Sequence, residues 1–352
     1  MAESQRVDIL SSSVEELEQL MISQGVPRYR GRQLFEGLWR HRIANYSELT
    51  VWPQALRLSM ETAYPLRRVE PSRVQEGHDG TLKILVKLFD GQQVETVVLP
   101  HDYGYSVCVS SQVGCNMGCH FCASGLLKRS RNLTAGEILD QVRLANDLIQ
   151  ERGHVISHVD LMGIGEPLDN YDNIVKFMRL AHDPAGLNLS YRHFTVSTSG
   201  LIPRIYRLAD EGLPVTLAVS LHAPTDPLRQ SLMPVDKAYP IAPLIAACRY
   251  YSEKTGRRVS FEYALLAGVN DSDEQARQLV DILSGFSCHV NLIPWNPVPE
   301  HPFTPSSKNR VEQFQRIVQE GGISCTIRKE MGQEIDAACG QLRRREEAKV
   351  SP

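Results

Sequence analysis

Tyr105-Ser106-Val107-Cys108-Val109 leads into Cys115-Asn116-Met117-Gly118-Cys119-His120-Phe121-Cys122, and these two segments set the fold. The first is a short apolar run that reads as a strand. The second is a loop with three thiols at spacings of four and three. A helical pattern follows from Thr134, so the unit is strand, loop, helix. Structural zinc normally takes four protein ligands, and so do Cys₄ iron–sulfur sites. Three thiolates in one loop can instead hold a four-iron cluster with one iron open to a further ligand. A zinc site completed by His120 is the alternative reading of the same loop.

The pattern propagates downstream. Strand-like runs recur at Val155–Met162, Phe194–Ser197, Val215–Leu221, Val259–Leu266, Val290–Ile293 and Ile323–Ile327. Helical segments lie between them, around 172–182, 201–211, 240–254, 273–284 and 308–320. Repeated alternation predicts a parallel sheet with helices outside, as a full or partial barrel or an open sheet. In either case functional residues belong at the carboxyl ends of the strands. Polar and glycine-rich sets recur there: Gly163-Ile164-Gly165-Glu166-Pro167, Ser197-Thr198-Ser199-Gly200, Ser220-Leu221-His222 and Trp295-Asn296-Pro297. A Pro-rich loop at 299–309 follows the last of these, either a cover for the site or an inert connection.

Upstream, residues 1 to about 75 read as helical. Ser13 with Glu16 forms a capping box, and Leu17, Leu20 and Met21 share one face. Arg28, Arg30, Arg32, Arg40 and Arg42 are interleaved with Tyr29, Phe35 and Trp39. This is either a solvated helix face with inward aromatics or a phosphate-binding patch. Residues 82–88 and 94–99 flank Asp90-Gly91 and predict a hairpin. Glu95 lies in that apolar run, where an outward position on an edge strand is the simplest expectation.

With 352 residues, 42% hydrophobic and 22% charged, the chain can bury a large core and divide into domains. A net charge of −3 excludes a polycation. No run of about 18 apolar residues occurs, so no membrane span is expected. The N-terminus lacks the apolar segment of a signal peptide, which points to the cytoplasm. Eight cysteines in such a chain suggest metal or redox chemistry rather than a disulfide framework. Cys248, Cys288 and Cys325 fall in helix or strand patterns and read as core residues.

The Cys115, Cys119, Cys122 spacing after the first strand resembles the signature of the radical S-adenosylmethionine (SAM) superfamily, and Phe121 and Gly163-Ile164-Gly165-Glu166 fit it too. Cys108-Val-Ser-Ser-Gln-Val-Gly-Cys115, Met162-Gly-Ile-Gly-Glu-Pro-Leu168, Ser220-Leu-His-Ala-Pro224, Asn291-Leu-Ile-Pro-Trp-Asn-Pro297 and Asp336-Ala-Ala-Cys339 resemble bacterial adenine-C2 methyltransferases of 23S rRNA and tRNA. The likeness runs from about residue 28 to residue 342.

The resemblance implies a partial (β/α)₆ radical SAM barrel at 105–342, carrying an N-terminal helical domain (1–78), a β-hairpin extension (79–104) and a flexible tail (343–352). It implies that Cys115, Cys119 and Cys122 bind a [4Fe–4S] cluster. Gly165, Glu166, Ser197, Ser220, Leu221, His222 and Asn296 would line the SAM pocket, with two SAM molecules used per turnover. Cys339 would carry the methyl group, Cys108 would release the product through a transient disulfide, and Glu95 would accept the ring proton. The implied partners are 23S rRNA, tRNA and a reductant such as flavodoxin or ferredoxin, acting on a monomer. Arg28 to Arg42 and Lys128-Arg129-Ser130-Arg131 are candidate phosphate contacts.

Chemistry agrees with such parts. The C2 carbon of adenine is electrophilic and has no lone pair for attack on a sulfonium, so a cofactor must supply radical chemistry. A methyl carrier calls for a soft nucleophile, and its release through a second thiol follows thiol–disulfide exchange. A sister family that methylates C8 of the same rRNA adenosine shares nearly all these motifs. A non-catalytic iron–sulfur RNA-binding protein is the reading from another class, and it has no need of Cys108 and Cys339.

Overall fold

The protein's structure, a computed structural model, describes residues 7–329, 331, 332 and 335. Cys339 and the tail from Arg343 lie outside the described residues.

The chain begins with three helices, α1 (Val14–Ser23), α2 (Tyr29–Trp39) and α3 (Gln54–Ala63). The capping box predicted for α1 is present in full: Ser13 accepts from the Glu16 backbone, and Glu16 accepts from that of Ser13. A four-stranded antiparallel run follows: β1 (Glu70–Glu76), β2 (Leu82–Lys87), β3 (Gln93–His101) and β4 (Gly104–Cys108). The predicted hairpin is β2–β3. Its neighbour β1 falls in sequence read as helical. Glu-Pro-Ser-Arg-Val-Gln-Glu is almost wholly exposed, so burial left no apolar alternation there to read.

After the cysteine loop come β5 (Gln112–Val113) and β6 (Arg131–Asn132), a small separate pair, and then α4 (Ala135–Gln150). The rest alternates: β7 (Ile156–Leu161), α5 (Tyr171–His182), β8 (Phe194–Thr198), α6 (Ile202–Asp210), β9 (Thr216–Ser220), α7 (Asp226–Leu232), α8 (Ile241–Thr255), β10 (Val259–Leu265), α9 (Asp273–Leu283), β11 (Cys288–Pro294), α10 (Lys308–Glu320) and β12 (Ser324–Ile327). The ten-stranded sheet has the order β1-β2-β3-β4-β7-β8-β9-β10-β11-β12, and every pair from β4 onward is parallel. This is a partial barrel with an antiparallel extension at one edge. The predicted strands and helices agree with it to within a few residues. Within this alternating part α7, a seven-residue helix with a proline in its first turn, is an addition to the predicted elements.

The main core lies between the sheet and the outer helices. Ile138, Val142, Ala145 and Ile149 of α4 are fully buried against it, as their spacing predicted. Cys248, Cys288 and Cys325 are core residues, and burial pushes all three thiols up.

The arginines of the N-terminal module have partners within the fold, with Arg28 and Arg32 still largely exposed. Arg28 pairs with Glu18 and Arg32 with Glu36, Arg40 donates to the Pro184 carbonyl, and Arg42 pairs with Asp147. Phe35 and Trp39 are fully buried, while Tyr29 is exposed. The joint with the barrel is Asp140, wholly buried on α4. Its carboxylate accepts from Arg68 (2.6 Å), from the Val69 backbone (2.7 Å) and from Arg143 (2.5 Å). Replacing Asp140 by Ala would leave the largely buried Arg68 without its carboxylate, while Arg143 would keep only Asp147. Chemical denaturation of Asp140→Ala is expected to show a loss of about 3 kcal/mol. A loss within the scatter of surface substitutions would mean that Asp140 is not the joint.

Candidate active site

The cysteine loop is clamped from three sides. The Cys115 amide donates to the Leu127 carbonyl at 2.8 Å. The His120 amide donates to the Leu232 carbonyl at 2.9 Å, and its ring Nδ1 to the Ser231 carbonyl at 2.7 Å. Trp295 Nε1 donates to the Phe121 carbonyl at 3.0 Å, and His301 Nε2 to that of Cys122 at 3.2 Å. The Pro-rich loop, through His301 and Phe303, therefore packs against the loop rather than standing clear of it. A small second apolar cluster of Ala123, Leu232, Met233, Leu266, Trp295 and Val298 backs these contacts. Gly114 has φ +81°, and a Cβ there would come within 2.4 Å of the Lys128 carbonyl oxygen, so the tight entry to the loop requires glycine.

The donor set fits a cluster better than a single ion. Among the described residues no three His, Cys, Asp or Glu side chains converge on one ion site. A four-iron cluster makes no such demand, since each thiolate takes a different iron. The His120 ring is held through Nδ1 by the Ser231 carbonyl, and no further His, Cys, Asp or Glu among the described residues joins it with the three thiols as a single-ion site. Burial, with the neighbouring cysteines, pushes the Cys119 thiol well up and that of Cys115 to about 12. Iron binding would have to displace those protons. Beside the loop, Ser124 Oγ is buried and has no hydrogen-bond partner among the described residues, a polar atom left for a bound group.

The strand ends form one rim. Gly165 (φ +110°) passes so close to the segment after β4 that a Cβ would lie 2.8 Å from the Gln112 nitrogen. The Glu166 amide donates to Gln112 Oε1. The buried Glu166 carboxylate accepts from the amides of Leu168 (3.0 Å) and Ser199 (2.7 Å), joining the ends of β7 and β8. Burial raises its pKa and those hydrogen bonds oppose the rise.

Arg229, which the sequence reading passed over, joins β8 to β9. It is fully buried, and it donates to the carbonyls of Ser199 (2.6 Å), Ser220 (3.1 Å) and Leu221 (3.3 Å) while pairing with Asp236 at 2.9 Å. His222 follows in the left-handed region (φ 56°), with its Nδ1 accepting from the Ala264 amide at 2.9 Å. Its ring stands edge-on to Phe121, with centroids 4.6 Å apart.

Strand register sorts the remaining candidates. Lys83, Glu95, Val97 and Cys108 share one face of β2–β4. The same face continues through Asp160, Thr195, Ser197, Ser220, Glu262 and Asn291. It is the inner face, because the alternate residues Ile84, Val86, Val98 and Val107 belong to the outer core and Leu85, Val97 and Cys108 do not. Ser197, Ser220 and Cys108 therefore look into the barrel. Leu221 does not: its side chain lies in the outer core, and its amide and carbonyl are both hydrogen-bonded. Asn296 is exposed on the loop after β11.

Glu95 departs from its sequence expectation. The strand β3 lies between β2 and β4, not at an edge, and Glu95 is 3% exposed. Its carboxylate meets the fully buried ammonium of Lys83 at 2.9 Å. The signal for that partner was legible as a second charge in an otherwise apolar run, across the same turn.

Fold and site together define a radical SAM enzyme. Residues 109–280 match the Radical SAM superfamily. A radical SAM methyltransferase from Sphaerobacter thermophilus superposes with a TM-score of 0.92 at 47% identity, covering 94% of this chain and 98% of its own. A probable dual-specificity RNA methyltransferase RlmN from Symbiobacterium thermophilum is 51% identical over 99% of this chain and 94% of its own length. One from Geobacillus kaustophilus is 47% identical over 96% of this chain and 93% of its own. The chain belongs to the RlmN family of radical SAM RNA methyltransferases. Its cofactors are accordingly a [4Fe–4S] cluster and SAM.

Burial and the nearby Arg229 hold the His222 pKa down to about 3, against an ordinary value near 6.5. Between those values the unfolded chain takes up a proton that the folded chain refuses. His222 therefore supports the fold above pH about 6.5, and that support is lost as pH falls, by about 1.4 kcal/mol per pH unit. Urea unfolding of wild type and His222→Asn across pH 7 to 4 should give slopes differing by one proton. Parallel slopes would show that the imidazole titrates normally.

Proposed function

We propose that this enzyme methylates C2 of an adenosine in 23S rRNA and in tRNA, by way of a methyl group carried on Cys339. The observation that carries this reading is the inner face, where the buried carboxylate of Glu95 and the buried thiol of Cys108 lie on neighbouring strands, the second of which leads to the cysteine loop. A non-catalytic binding protein would have no need of Cys108 and Cys339.

Cys115, Cys119 and Cys122 hold the cluster. Gly165, Glu166, Ser197, Ser220, His222 and Asn296 form the SAM pocket, with Leu221 contributing backbone only. The cluster and SAM supply the methyl group and the one-electron chemistry that an electrophilic ring carbon requires. The chain's own residues orient the base, exclude water and move protons. Glu95 takes the C2 proton from the covalent protein–RNA adduct, and the odd electron left by radical addition would return to the cluster, so that the adduct is closed-shell before it is resolved. Cys108 then attacks the sulfur of Cys339, the bond from that sulfur to the transferred carbon breaks, and its electron pair stays with the carbon. A proton completes the methyl group, and a Cys108–Cys339 disulfide remains to be reduced. A flavodoxin- or ferredoxin-type donor feeds electrons to a cytoplasmic monomer.

Cys108→Ala, reconstituted with cluster and supplied with SAM, reductant and a tRNA substrate, is expected to accumulate a covalent adduct with RNA. Wild type is expected to release RNA carrying 2-methyladenosine, and Cys119→Ala to form no 5′-deoxyadenosine. An adduct-free Cys108→Ala enzyme would end the resolving role, and mass mapping of the methyl to C8 would overturn the C2 assignment.

A further inference from the structure

Two charges lie buried on the inner face of the antiparallel extension. Lys83 is 0% exposed and Glu95 is 3% exposed, and their neighbours on that face, Leu85 and Val97, are buried and apolar. Desolvating two ions can cost more than their attraction returns. Replacing a buried ion pair by well-packed apolar residues is often neutral or stabilising. Stability alone therefore does not account for keeping this pair.

Its place in the fold does. The register sets Lys83 opposite Val97, and Val97 opposite Cys108, so the ammonium, the carboxylate and the thiol share the inner face of three adjacent strands. The hairpin lies on the β4 edge of the parallel strands, and Cys108 ends the strand that feeds the cysteine loop. Glutamate has three side-chain torsions, and a base must be held within a fraction of an ångström of its target. A lysine ammonium 2.9 Å from Oε2 supplies that restraint.

We propose that Lys83 is the positioning residue for Glu95 in methyl transfer: its ammonium fixes the carboxylate on the face that carries Cys108, so that the ring proton can be removed before the adduct is resolved. This rests on the reading of Glu95 as proton acceptor given above. Lys83 touches neither RNA nor cofactor in this role. It acts through Glu95, and removing it resembles removing the acid itself.

The test uses the full chain, reconstituted with its cluster, in five forms: wild type, Lys83→Met, Lys83→Arg, Glu95→Gln and the double variant Lys83→Met/Glu95→Gln. Three quantities are followed: methyl incorporated into Cys339, covalent protein–RNA adduct, and released methylated RNA. Lys83→Met is expected to keep methyl incorporation within about twofold of wild type, while released product falls at least about tenfold and adduct accumulates although Cys108 is intact. Lys83→Arg should recover most of the product. The double variant should be no slower than Glu95→Gln, because two residues that act as one unit do not add. It also removes both charges together, so an unpaired buried ion does not confuse the result.

Product release by Lys83→Met at the wild-type rate, with Glu95→Gln slow, would overturn the role of Lys83 and leave that of Glu95 standing. Glu95→Gln at the wild-type rate would overturn the reading beneath it. Equal loss of methyl incorporation and product in Lys83→Met, tracking the folded fraction, would reduce the pair to a structural one and overturn the proposal.

Discussion

Arg229 has no exposed surface, and its guanidinium donates to the ends of two strands at once. A parallel sheet leaves the carbonyls at its carboxyl rim without strand partners, and a loop there must satisfy them or expose them to water. Arg229 satisfies three, at Ser199, Ser220 and Leu221, and Asp236 balances its charge. Glu166 does the complementary work one strand earlier by accepting from the Ser199 amide. Ser199 is thus held by its amide on one side and its carbonyl on the other. The rim from β7 to β9 is one hydrogen-bonded frame built from a buried acid and a buried base. His222 can sit in a left-handed conformation that costs energy because this frame, with Asn270 holding its carbonyl, fixes both sides of it.

The parallel strands were legible because burial on the outer face imposes an apolar run, and glycine or proline closes each one. The inner face was legible as well, and less obviously. Strands covered on both sides usually read as continuous apolar runs. Here Ser106 and Cys108, His158 and Asp160, Thr195 and Ser197, and Ser260 and Glu262 alternate with apolar residues, which is the mark of a polar lumen. What the sequence could not carry was pairing. Glu95 looked outward because a hairpin taken alone has two edges. Adding β1 on one side and β4 on the other puts β3 inside and turns the same parity inward. The strand β1 was itself hidden by its exposure. Arg229 escaped notice because a lone arginine on a short helix with proline near its start resembles surface.

Many of the clustered basic residues have partners within the fold. Arg28, Arg32 and Arg42 pair with Glu18, Glu36 and Asp147, and Arg40 with a backbone carbonyl. Arg129 is held by Asp169, and Arg131 by Asp90 and Glu137. The Arg131 pairs fasten the tip of the β2–β3 hairpin to the strand that leaves the cysteine loop and to the first turn of α4. They hold the extension against the barrel. A phosphate approaching Arg129 or Arg131 would compete with a carboxylate already at contact distance.

The same fastening bears on the chemistry. Lys83 and Glu95 belong to the extension, while Cys108 ends the first barrel strand, so the reacting groups straddle a boundary between two kinds of sheet. Across that boundary β3 and β4 pair from Val97 with Cys108 to His101 with Gly104, and Ser110 Oγ donates to the Glu95 carbonyl at 2.6 Å. On the other side Ser110 is held by Gln141 of α4 through its amide and its carbonyl. Glu95 is therefore anchored to the barrel by its backbone and to the extension by its side chain. A slip of one residue at β3–β4 would turn both Glu95 and its partner out of the lumen. The register of that single pairing, more than any property of the acid, decides whether a carboxylate stands beside the thiol.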